Sequence, residues 1–127
     1  MNISFSGLVR KGAGRGRALG FPTANIPAPL DCEDGVYVAR VFFNNSEFPA
    51  LCFIGAPEMF EERERRAEVY ILDWDGDLYG KEIQVEILKK IRESRKFDSS
   101  EELVGAMKED LRVAREYFKV SSCLPES

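Results

Sequence analysis

Apolar residues fall in short runs through most of the chain and take up a helical spacing only near its end. Ile3 to Val9 is a first strand-like run, and Gly35 to Phe43 is an apolar stretch rich in β-branched and aromatic residues. Asn44-Asn45-Ser46 is a polar turn leading into a strand at Pro49 to Ile54, and Glu61 to Arg66 is a solvated charge run before the next strand. Residues 67–74 and 82–88 are two further strands. Asp75-Gly76-Asp77 between them carries the Asp-Gly dipeptide of short hairpins, so the two are expected to pair antiparallel.

After Phe97 the period changes. Ser99 followed by Glu102 is a capping box, in which each side chain satisfies an orphan backbone donor of a starting helix. Leu103, Met107, Leu111, Ala114 and Phe118 then recur at spacings of three and four, while Lys108, Glu109, Arg112 and Glu116 face water. These spacings predict a helix over about 99–118 and a flexible tail over 119–127. About six short strands with one terminal helix predict a mainly β fold, a small closed or split antiparallel barrel, because closure hides the edges that an open sheet exposes.

A chain of 127 residues has room for one domain, and 44% hydrophobic residues suffice to fill its core. The net charge of −4 argues against a general nucleic-acid or anionic-membrane binder, since phosphate backbones are held by excess Lys and Arg. Cys32, Cys52 and Cys123 form no CxxC pair and the chain has no histidine, so a zinc site lacks ligands and reduced thiols are expected. No apolar run approaches the roughly 18 residues that span a bilayer, and the N-terminus lacks a secretory core. A cytoplasmic, monomeric protein is the expectation.

The chemistry concentrates in GAGRGRALGFPTANI, residues 12–26. Alternate glycines let backbone N–H groups approach an anion, and arginine offers a fixed fork of donors to phosphate oxygens. The stretch is neither a P-loop nor a Rossmann turn. Alone it could equally be a flexible surface loop or a small RNA-contacting patch. Thr23 and Asn25 point to one side of an extended segment, where a hydroxyl and an amide oxygen suit Mg²⁺, or else bond a local turn. In the strand after the charge run, Glu68 shares a face with Tyr70, Leu72 and Trp74. A carboxylate on an apolar face is either a general base or an edge-strand glutamate in water.

GAGRGRALGFPTANI resembles the signature of the riboflavin kinase family, and the resemblance continues through the Glu68 strand, the loop ending Tyr79-Gly80, and Ile91 to Ser99. It implies a six-stranded antiparallel Greek-key barrel with a C-terminal α-helix over residues 1–118, and ATP-dependent phosphorylation of riboflavin to FMN. It further implies Glu68 as catalytic base, Thr23 and Asn25 as Mg²⁺ and phosphate ligands, and Gly12, Gly14, Arg17, Ile71 and Tyr79 as nucleotide contacts. Arg92, Arg95 and Phe97 would meet the flavin, since guanidinium and phenyl groups suit a planar isoalloxazine.

Some residues depart from the family pattern. The stretch Ile54 to Phe60 is a residue shorter than usual, Glu58 stands where Thr is common, and Tyr70 stands where His is frequent. An added negative charge beside ATP phosphates opposes binding unless it points outward. The competing expectation is therefore a non-catalytic flavin- or nucleotide-binding module of the same fold. Many bacterial members of the family carry a preceding adenylyltransferase domain that makes FAD, which this sequence does not include.

Overall fold

The structure, a computed structural model, describes residues 3–10, 24–55, 66–72, 78–95 and 97–122. Six antiparallel strands, β1 (Ile3–Leu8), β2 (Ala24–Pro27), β3 (Gly35–Phe43), β4 (Ser46–Gly55), β5 (Arg66–Ile71) and β6 (Glu82–Arg92), precede one helix, α1 (Ser100–Ser122). The strand order is β1-β6-β3-β4-β5-β2. Three successive strands, β3, β4 and β5, lie side by side and β6 returns to lie next to β3, which is a Greek key.

The β3–β4 hairpin turns at Asn44 and Asn45, both with positive φ (52° and 61°), as a tight turn matched to strand twist requires. Asparagine tolerates that conformation because its short side chain bonds locally. The barrel nearly closes where β1 meets β2. Arg10 N donates to Asn25 O at 2.7 Å, and Gly7 allows the approach, since a Cβ there would lie 3.2 Å from Ile26 Cβ and from Pro27 Cδ.

Alternation across the strands sorts side chains into two sets. Ala67, Val69 and Ile71 of β5, Ile83, Val85 and Ile87 of β6, and Tyr37, Ala39 and Val41 of β3 fill the barrel interior. Val36, Val38, Leu51 and Leu72 occupy the outer face and meet Ala114 of α1. The helical stripe is as the spacing predicts: Leu103, Met107 and Ala114 are buried, with Leu111 and Phe118 packed beside them. The cap forms too, with Glu102 N donating to Ser99 Oγ at 3.2 Å and Asp98 N donating to Glu102 Oε2 at 3.3 Å.

Three features differ from the sequence reading. β5 and β6 do not pair: β5 lies between β4 and β2, and β6 between β1 and β3. Asp-Gly is a local signal, whereas here the edge of β5 away from β4 is taken by the distant β2, and both edges of β6 are taken by the distant β1 and β3. The chain returning to β6 crosses the end of β1 instead, with Val9 N donating to Lys81 O at 2.8 Å and Gly80 N to Val9 O at 3.0 Å. Residues 73–77, which carry the Asp-Gly pair, lie outside the described residues.

Secondly, β6 runs four residues past Leu88 to Arg92. Its register against β3 slips twice, leaving Leu88 and Ile91 as extra residues, and both pack beneath α1. Such bulges bend a strand and raise its twist, which lets a small sheet curl shut. Thirdly, α1 continues through Ser122 rather than ending near Phe118. Among the described residues no helix is long and apolar enough to cross a membrane.

Candidate active site

Registry brings the polar candidates together. Asn25 of β2 pairs directly with Glu68 of β5, Glu68 with Phe53 of β4, Phe53 with Val36 of β3, and Val36 with Arg92 of β6. Directly opposed residues share a face, so these five form one row across the outer surface of the barrel, on the side that α1 partly covers. Neighbouring strands lie about 4.8 Å apart, so the row runs roughly 19 Å along the curved sheet.

At one end of the row, opposed side chains such as Asn25 and Glu68 have Cβ atoms about 4.5–5.5 Å apart. Asn25 is 7% exposed, and its buried Oδ1 has no hydrogen-bond partner among the described residues. An acceptor left unpaired in the interior costs on the order of 1–3 kcal/mol, and such an atom in a native fold calls for a ligand or ion to meet it. A hard cation that takes oxygen donors and completes its shell with water and substrate oxygens fits this atom. Among the described residues no three His, Cys, Asp or Glu side chains gather as a metal cage. A cation here would therefore rely on a few protein oxygens and on its substrate. Glu68 is half-buried, flanked on the same strand by Tyr70, which packs with Phe53 and Leu111 under the helix.

At the other end, Arg92 is the last residue of β6 rather than part of a loop. Its Nε and one terminal nitrogen each donate at 2.8 Å to the two oxygens of Asp110 on α1, a bidentate pair. Asp110 is 3% exposed. The guanidinium carbon of Arg92 lies 5.6 Å from the Phe97 ring centre, and that of Arg95 lies 4.5 Å from it. Phe97 is buried against Leu103 and Met107. Lys90 binds Glu93 at 2.8 Å and Glu33 at 3.4 Å, tethering the first residue after the strand.

Of the other residues singled out from sequence, Ile71 lies in the barrel interior beside Leu78, and Tyr79 is 61% exposed at the crossing over β1. Gly12, Gly14, Arg17, Thr23 and the stretch Ala56 to Phe60 lie outside the described residues. Asp110 went unnoticed in the sequence. The signal was present, because Leu103, Met107, Asp110 and Ala114 follow helical spacing and put one carboxylate on the apolar stripe.

Inside the barrel, burial pushes the Cys52 thiol well above its ordinary value, with smaller contributions from Cys32 and Glu68. Tyr37, opposite Cys52 and donating to Glu33 O at 2.6 Å, is also raised, by burial first and then by its hydrogen bond with Cys32. Both groups are held neutral.

Six antiparallel strands in a nearly closed barrel with one C-terminal helix packed on its outer face define the class of domain. The riboflavin kinase (flavokinase) family model matches residues 1–118, and the chain belongs to that family. It is 42% identical over 115 residues to the trifunctional protein RibF/MnmA of Mycoplasmoides gallisepticum, covering 88% of this chain and 18% of that protein. It is 37% identical over 117 residues to the RNA-binding riboflavin kinase RibR of Bacillus subtilis, covering 91% of this chain and 51% of the relative. The chain thus spans about half or less of the length of these relatives. Among solved structures, riboflavin kinase from Trypanosoma brucei superposes with a TM-score of 0.62 at 25% identity, covering 93% of this chain and 80% of that one.

Proposed function

We propose that this chain transfers the terminal phosphoryl group of ATP to the ribityl 5′-hydroxyl of riboflavin, giving FMN and ADP. The observation that carries the reading is the direct pairing of Asn25 with Glu68, an oxygen donor with no partner among the described residues beside a half-buried carboxylate, at the head of a row that ends at Arg92, next to Phe97. Family membership supports the same reaction.

Glu68 acts as general base. Its carboxylate takes the 5′-hydroxyl proton as the oxygen's electron pair forms the new O–P bond, and the bond from the γ-phosphorus to the bridging oxygen breaks to release ADP. Asn25 Oδ1, with the Thr23 hydroxyl two residues earlier, would hold Mg²⁺, which offsets charge on the phosphate oxygens when bound. Gly12, Gly14 and Arg17 line the phosphates, and Ile71 and Tyr79 flank the adenine. Arg92, Arg95 and Phe97 receive the flavin ring at the far end, so the row orients one substrate along its length and the reaction rests on positioning and electrostatics.

The chain acts as a monomer on small molecules in the cytoplasm. An RNA partner is no part of this reading, because a net charge of −4 offers a phosphate backbone little attraction. Incubation with riboflavin, ATP and Mg²⁺ followed by chromatography tests the proposal: FMN should accumulate in step with ADP. Riboflavin bound without product would identify a non-catalytic flavin-binding module instead.

A further inference from the structure

The pair between Arg92 and Asp110 is built more tightly than attachment of α1 requires. The helix already seats Leu103, Met107 and Ala114 on the barrel, and a buried ion pair often adds little to stability over apolar residues of the same size. What the pair does fix is direction. Two bonds of 2.8 Å to a nearly fully buried carboxylate leave the planar guanidinium one orientation. Arg92 also donates to Glu93 O at 3.2 Å, so the same group holds the start of the segment that leads to Phe97. Phe97 in turn sits within 5.6 Å of Arg92 and 4.5 Å of Arg95.

We propose that Asp110 is a positioning residue for the flavin: by clamping Arg92 it sets the plane of the guanidinium and the place of Glu93 and Phe97 beside it, and thereby the surface that receives the flat ring. This rests on the proposed riboflavin kinase reading and adds to it a residue that touches no substrate. Side chains that act through a fixed neighbour influence binding of the ligand which that neighbour meets, and leave the other substrate alone.

The test compares wild type, D110N, R92M and R92M/D110N by riboflavin fluorescence quenching and by steady-state kinetics for each substrate, below the melting temperature of each. Loss of one charge-assisted bond should weaken riboflavin binding about tenfold in D110N, with the KM for ATP within about twofold of wild type. R92M/D110N should bind riboflavin no more weakly than R92M, since Asp110 acts only through Arg92. If D110N fails to fold, D110E, which keeps the charge but moves it by one methylene and leaves Arg92 in place, is measured instead. Riboflavin should again bind about tenfold more weakly, with the KM for ATP within about twofold of wild type. Wild-type riboflavin affinity in D110N or, failing that, in D110E, or equal losses for both substrates, would overturn the inference. Absence of FMN formation by the wild type would overturn the kinase reading instead.

Discussion

Asn25 carries two burdens at once. Its backbone oxygen accepts the bond from Arg10 that closes the barrel, while its side-chain oxygen is buried without a partner among the described residues. A side chain kept for stability would have that acceptor paired, so the two roles should separate under substitution. Asn25→Ala removes the orphan acceptor and leaves the backbone bond intact, so unfolding free energy should change by no more than about 1 kcal/mol. The Mg²⁺ concentration for half-maximal FMN formation should nevertheless rise about tenfold. Denaturant titration and a Mg²⁺ titration of activity measure the two effects. A large loss of stability with an unchanged Mg²⁺ dependence would assign Asn25 to the fold alone.

At the scale of elements, local signals were legible where local physics decides. The capping box and the stripe from Leu103 to Phe118 identified α1, and Asn44-Asn45 identified a turn whose positive φ values suit asparagine. Ser99→Ala should cost about 1 kcal/mol and lower the melting temperature by about 3–5 °C, as read by calorimetry. An unchanged melting temperature would mean that Ser99 does not cap α1. What misled was long-range pairing. Asp75-Gly76 argued for a β5–β6 hairpin, but strand neighbours are set by which faces must be buried, and that is decided across the whole barrel. The end of β6 was equally hidden, because two bulges carry the strand on to Arg92. The site shows the same division. Glu68 and Asn25 could be named one at a time from their strands, whereas their direct opposition depends on a register between segments more than forty residues apart.

For the whole molecule, the barrel interior keeps Cys52 neutral, and this links stability to pH. The folded thiol holds its proton above the ordinary value of 9.0, while the unfolded chain releases it there. Above that pH the unfolded state binds fewer protons, so stability is fully present below about pH 9 and falls as pH rises beyond it, by up to about 1.4 kcal/mol per pH unit for one such group. Tyr37 adds a second loss above its ordinary value of 10.0. Urea unfolding between pH 8 and 10 should show the decline, with a shallower slope for Cys52→Ala. Parallel slopes would place the alkaline loss elsewhere.

Across the outer face the register sets Glu68 beside Asn25, whose amide oxygen has no partner among the described residues, at one end of a row that has Arg92 at the other, beside Phe97. The most direct measurement is the rate of FMN formation by Glu68→Gln beside its riboflavin affinity. Loss of the base should lower kcat by about 10²- to 10⁴-fold while riboflavin binds as in the wild type. A Glu68→Gln protein that still makes FMN at close to the wild-type rate would contradict the account.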